Sequence, residues 1–134
     1  MDVGVVMCHD AARPFATPAL FDRVLGALDG VQGVVPVVPV PDTVKRVEGG
    51  VVLRTEPREG LVLAQTPQAF LALALRQAHD RAERDGIEVT DDAAALERAG
   101  FRVRAVPGEP GNFKITTPED LARAEAIALE LARG

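Results

Sequence analysis

The chain has 134 residues, enough for one domain that buries roughly two-thirds of its unfolded surface. Its net charge of −5 argues against a surface that tracks a nucleic-acid backbone, its single cysteine excludes an internal disulfide, and two histidines make a Cys/His metal centre unexpected. No apolar stretch approaches the ~20 residues of a bilayer span and no signal peptide is evident, so a cytoplasmic location is expected, with a core that is aliphatic because there are five Phe and no Tyr or Trp.

Val3 to Cys8 (VGVVMC) is short, Val-rich and without alternation, which predicts a strand covered on both faces in a largely parallel sheet, with Cys8 in the core. His9 to Phe15 (HDAARPF) would then stand outside the carboxyl end of that strand, where open α/β sheets place their binding crevices. Thr17-Pro18, followed by Leu20, Phe21, Val24, Leu25 and Leu28 at helical spacing, predicts a helix capped by Thr17 and ended by Gly30. Gly33 to Val38 predicts another strand. Pro36 removes a ladder donor from its middle, which places that strand near an edge or gives it a bulge.

Between Pro39 and Leu63 the pattern changes. Two short extended runs, 43–47 and 51–54, flank Glu48-Gly49-Gly50, a hairpin signal whose polar surroundings predict an arm projecting from the body. An isolated hairpin is marginal in water, so such an arm is expected to meet a partner chain. Thr66-Pro67 predicts the start of a long helix with Phe70, Leu71, Ala74, Leu75, Ala78 and Ala82 inward and Gly86 at its end. A shorter helix starts at Thr90-Asp91-Asp92 and ends at Gly100, Phe101 to Val106 alternates as a strand, and Phe113 to Thr116 reads as a further short strand. Thr117-Pro118-Glu119-Asp120 opens a last helix with the stripe Leu121, Ala124, Ala128 and Leu131. The order of elements predicts an α/β fold.

The polar candidates are few. Asp10 and Arg13 would share the first crevice. Thr66, Thr90 and Thr117 read first as helix caps, although a capped helix start also offers N–H groups to an anion. Lys45 and Arg46 read as solvated, Arg58 stands where the arm returns to the body, and Lys114 lies in an apolar stretch. His9 reads as a satisfied core histidine, with orientation of Asp10 as the alternative, and His79 as exposed and inert. No nucleophile–base pair stands out. Asp10 with Arg13, Arg58 and Lys114 suits phosphoryl chemistry, which depends on holding anions together and neutralising developing charge.

The segments HDAARPF, PVPDTVKRV, REGLVLAQTPQAF, TDDAAALERAG and GNFKITTPEDLARAEA, in this order, resemble the C-terminal part of the 2-C-methyl-D-erythritol 4-phosphate cytidylyltransferases of the non-mevalonate isoprenoid route. The resemblance covers nearly the whole chain. It implies a three-layer, Rossmann-like α/β nucleotidyltransferase fold, a homodimer held partly by the arm at about 39–63, and a Mg²⁺-dependent reaction of the substrate phosphate with CTP. It further implies that Asp10 sits at the metal and substrate centre and that Arg13, Thr43 and Thr66 contact methylerythritol phosphate. Lys114, and Arg58 from the neighbouring subunit, would hold its phosphate. Thr90 stays a cap.

The family begins with a Gly-rich, basic loop for the CTP phosphates, and no such segment appears before Val3. Residues 1–134 are therefore expected to form one truncated domain, inactive or nearly so alone, with its first strand left as a sheet edge and a tendency to aggregate or need a partner. Two alternatives stand beside this reading: a related cytidylyltransferase for another sugar-alcohol phosphate such as ribitol 5-phosphate, and a non-catalytic dimerisation module.

Overall fold

A computed structural model describes residues 3–134. The main sheet contains β1 (Val5–Cys8), β2 (Gly33–Pro39), β5 (Val62–Ala64), β6 (Gln68–Leu71) and β7 (Val103–Pro107), and a separate two-stranded sheet contains β3 (Val44–Glu48) and β4 (Val51–Glu56). The helices are α1 (Pro18–Gly26), α2 (Ala72–Arg84), α3 (Asp92–Arg98) and α4 (Pro118–Arg133).

β2 is the hub. It pairs with β7 along one side, and with β6 and then β5 along the other, while β1 pairs with β6. Among the described residues only the β2–β7 pairing is parallel, which corrects the expectation of a largely parallel sheet. The chain leaves β2 through the arm and returns directly beside it, without the crossover helix that a parallel neighbour requires. Pro36 is correspondingly not at an edge but in the central strand, fully buried. It stands opposite the break between β5 and β6, where its carbonyl accepts from Gln65 N at 2.8 Å.

Alternation along the strands distributes the core between two faces. Val34 and Ala69 join Leu20, Val24, Val31 and Val106 under α1, whereas Val35 and Phe70 join Ala78, Ala93, Ala95 and Leu96 under α2 and α3. Phe70 is completely buried, and a Cβ at Gly33 would lie 3.0 Å from its ring, so the facing residue must be small. The alanines Ala74, Ala78 and Ala82 form the buried side of α2, and an ion pair of Arg98 with Asp85 and a hydrogen bond between His79 Nε2 and Asp92 Oδ1 at 2.8 Å fasten α2 to α3. His79 thus has a structural partner rather than being inert.

Several element boundaries differ from the sequence expectations. Residues 68–71 form β6, wedged between β1 and β2, so α2 starts at Ala72 with Leu71 at its N-cap and no side-chain cap. α1 ends at Gly26, before Gly30, and Asp91, not Thr90, caps α3 through Ala93 N at 3.2 Å. Residues 113–116 form no strand and join no sheet. β1 is not covered on both faces: Val5 is exposed, Val6 to Cys8 are half-buried, and its described partner is β6 alone. In α4 only Ala124 is buried, and Leu121 and Leu131 of the expected inner stripe are exposed.

The arm forms as expected. Gly49 and Gly50 take φ of +56° and +78° at its tip, the conformation that a tight hairpin turn asks of glycine. Its strands are exposed almost throughout, including Val47, Val51, Val52 and Leu53. Glu56 ties them together by accepting from Arg46 and Arg54, whose guanidinium groups hold its carboxyl below the usual range.

Candidate functional site

The carboxyl end of β1, the break between β5 and β6, the start of α3 and the segment after Asn112 converge on a cleft of about 370 Å³. Cys8, Asp10, Arg13, Thr66, Asp92 and Lys114 are among its lining residues. Each arrives for a local reason. Asp10 and Arg13 lie on a turn closed by Arg13 N donating to Asp10 O at 3.0 Å, and Thr66 precedes the cis Thr66-Pro67 bond at the strand break. Lys114 is brought alongside by Ile115 N donating to Ala12 O at 2.9 Å and by Arg123 stacking 4.1 Å from the Phe113 ring centre.

At the centre, Asp10 Oδ2 faces two cations, with Arg13 Nε at 3.4 Å and Lys114 Nζ at 3.8 Å. These contacts are long and partly solvated, so they contribute little stability and leave the cations available to an anionic ligand. The guanidinium of Arg13 is further fixed by Nη1 donating to Asn112 O at 2.8 Å. The Asp10 backbone N–H donates to Thr66 Oγ1 at 2.9 Å. His9 is exposed, not a core residue, with Nδ1 3.0 Å from Thr66 Oγ1 and Nε2 3.0 Å from Arg13 O.

Beneath the cleft lies a polar network that the sequence reading did not single out. Gln65 exchanges hydrogen bonds with the backbone of Glu109, and Asn112 Nδ2 donates to Gln65 Oε1 and Thr66 O. Asn112 is fully buried, and this pair locks the loop from Pro107 to Asn112 onto the strand break. No local signal announces it, because the partners are 47 residues apart. Cys8 Sγ is held as a thiol by burial first and by the nearby Asp92 carboxylate second, both raising its pKa.

Of the residues picked from the sequence, Asp10, Arg13, Thr66 and Lys114 share this cleft, and Thr90 lines it too instead of capping α3. Thr43 and Arg58 are not among its lining residues. Thr43 is exposed at the base of the arm, and Arg58 donates to the carbonyls of Val40 and Pro41 at 3.4 and 3.2 Å, closing that base. Among the described residues no group of three or more His, Cys, Asp or Glu side chains gathers as a metal cage. The donor set fits Mg²⁺ in another way, since that ion commonly takes one or two carboxylates and completes its shell with water and phosphate oxygens. Asp10 suits this, as both of its cation contacts fall on Oδ2.

A family model described as 2-C-methyl-D-erythritol 4-phosphate cytidylyltransferase matches residues 2–130. The chain belongs to this family. It is 52% identical over 123 residues to the 2-C-methyl-D-erythritol 4-phosphate cytidylyltransferase of Synechocystis, and 58% identical over 122 residues to a bifunctional enzyme IspD/IspF of Nitratidesulfovibrio vulgaris. These alignments cover 91% and 90% of this chain but 54% and 31% of the relatives, so the chain spans about half or less of their length. The crystal structure of the Thermus thermophilus cytidylyltransferase superposes with a TM-score of 0.86 at 46% identity, covering 95% of this chain and 63% of the other. The mixed sheet with its hairpin arm is thus the family's fold.

Proposed function

We propose that this chain carries the acceptor-binding half of a cytidylyltransferase that joins 2-C-methyl-D-erythritol 4-phosphate to CTP. The observation that supports this most is the convergence of Arg13 and Lys114 on Asp10 in one cleft of a chain belonging to this family. In the reaction an oxygen of the acceptor phosphate attacks the α-phosphorus of CTP. The new P–O bond forms as the bond to the β-phosphate oxygen breaks, and pyrophosphate leaves. The protein needs to supply position and charge rather than a covalent partner.

Arg13 and Lys114 neutralise and orient the acceptor phosphate, while Asp10 and Thr66 face its hydroxyls. Asp10 is also the residue that would hold Mg²⁺, whose chemistry when bound is to offset phosphate charge. Arg58 and Thr43, outside the cleft of their own chain, would serve the cleft of a second copy reached by the exposed arm. That arrangement makes the homodimer part of the site.

No Gly-rich basic loop borders the cleft among the described residues, and the CTP phosphates need such donors. The isolated 134-residue polypeptide is therefore expected to bind acceptor yet transfer cytidylyl groups at a negligible rate. Each missing donor is worth about 3 kcal/mol of transition-state stabilisation. The exposed arm also supports a second reading, a non-catalytic dimerisation module with idle site residues, which predicts no acceptor binding at all.

The test is a complete family enzyme in which residues 3–134 replace the corresponding half. It should form CDP-methylerythritol from methylerythritol phosphate far faster than CDP-ribitol from ribitol 5-phosphate. It should also lose on the order of a hundredfold or more on Lys114→Ala. Equal use of both acceptors, or indifference to Lys114, would count against the proposal.

A further inference from the structure

Three hydrogen bonds fix which way the Thr66 hydroxyl points its proton. The Arg13 carbonyl can only accept, so His9 Nε2, 3.0 Å away, is the nitrogen that carries hydrogen in the neutral ring. Nδ1 is then an acceptor, and the group 3.0 Å from it is Thr66 Oγ1, which must donate. The same oxygen already accepts from Asp10 N at 2.9 Å. A hydroxyl has one proton and two lone pairs, so a single lone pair is left to Thr66. The ring is steadied by Phe21, edge-on with centroids 5.2 Å apart.

We infer that His9 is a positioning residue that makes Thr66 a hydrogen-bond acceptor toward the ligand, so that Thr66 selects a hydroxyl of the acceptor substrate and not its phosphate. A fully ionised phosphate monoester has no proton to offer that lone pair, whereas an alcohol has. The cleft is thereby polarised: cations at Arg13 and Lys114 for the anion, and proton acceptors at Thr66 and Asp10 for the polyol. This inference rests on the acceptor-binding role proposed above. It adds the residue that sets the site's direction.

Two variants separate the two links of His9. Asn places an acceptor where Nδ1 stands and drops the Nε2 link; Gln places a donor where Nε2 stands and drops the acceptor facing Thr66. The first measurement uses no ligand. Long-range proton–nitrogen correlation on the histidine-labelled chain at about pH 8, with His9→Gln identifying the His9 signals, should show hydrogen on Nε2 and none on Nδ1. Hydrogen on Nδ1 overturns the inference.

The second measurement is calorimetric binding of methylerythritol phosphate and its monodeoxy analogues. One analogue should bind roughly three- to tenfold more weakly to the wild-type and His9→Asn chains, a preference that shrinks toward unity in His9→Gln and Thr66→Val. A preference kept in His9→Gln overturns the inference. If the wild-type chain binds neither parent nor analogues, the proposed function fails, and the tautomer alone then decides the direction of the hydroxyl.

Discussion

The Asp10 backbone N–H donates to the Thr66 hydroxyl at 2.9 Å, joining the end of β1 to the break between β5 and β6. That bond joins two of the segments that line the cleft. It sets the turn carrying Asp10 and Arg13 against the segment whose carbonyl is gripped by Asn112, which in turn holds the Arg13 guanidinium through its own carbonyl.

Thr66→Val should cost about 1–2 kcal/mol of folding stability, because it removes the partner of a part-buried backbone N–H and of the His9 ring. Thr66→Ser keeps the oxygen and should stay within about 0.5 kcal/mol of wild type. Urea denaturation of the three chains under one buffer checks both values. Equal stability of Val and wild type would mean that water replaces the hydroxyl without loss.

Gly108→Ala should be destabilising by about 1–3 kcal/mol. A Cβ there would meet Gln65 Oε1 at 2.5 Å and the Val37 carbonyl at 3.1 Å. Gln65 cannot simply swing aside, since its amide is engaged by Glu109 and Asn112. The midpoint of urea denaturation reads the cost, and an unchanged midpoint would show the network to be slack.

The start of α4 gives a pH dependence with a definite sign. Asp120 Oδ2 accepts from Thr116 N, Thr116 Oγ1 and Thr117 N at 3.0 to 3.1 Å, and these bonds, with the Thr116 N–H foremost, hold its carboxyl below its ordinary value of 3.8. A depressed carboxyl contributes stability above that ordinary value and loses it as pH falls through the lower folded value. Asp120→Asn should therefore be less stable than wild type at pH 7, and the gap should close in strong acid. Denaturation midpoints measured from pH 7 down through 3.8 and on into strong acid should draw together only below that value, and parallel curves would contradict the assignment.

Burial and the Asp92 carboxylate keep Cys8 as a thiol, raised above its ordinary 9.0, so its stabilising contribution is complete below that value and is lost only as pH rises through the folded one. Alkylation of the native chain at pH 8 should be slow and should accelerate on unfolding in urea. Asp92→Asn should quicken the native reaction. Equal rates for folded and unfolded chain would refute the burial.

The readable parts of the fold were the local ones. Thr17-Pro18 and Thr117-Pro118 cap helices as expected, the second with a reciprocal Thr117–Asp120 box, and the glycine pair turns the arm. Thr66-Pro67 carries the same dipeptide yet opens no helix, because the residues after it fill the gap between β1 and β2, a demand set by strands far away in sequence. The same limit explains Gln65 and Asn112, ordinary polar residues until the fold pairs them. Asp10, Arg13 and Lys114 suggest an anion site by charge and position alone, whereas Thr66, which reads first as a helix cap, becomes a site candidate only through the family resemblance. Arg58 and Thr43 showed no such meeting place within their own chain.

The proposed role of Arg13 and Lys114, flanking Asp10 to receive a polyol monophosphate, stands or falls on binding of that ligand. Isothermal titration of the 134-residue chain with methylerythritol phosphate tests it directly. Saturable binding should weaken roughly ten- to a hundredfold in Arg13→Ala and in Lys114→Ala, the loss expected for a charged hydrogen bond. Absence of binding, or binding that both variants leave unchanged, would contradict it.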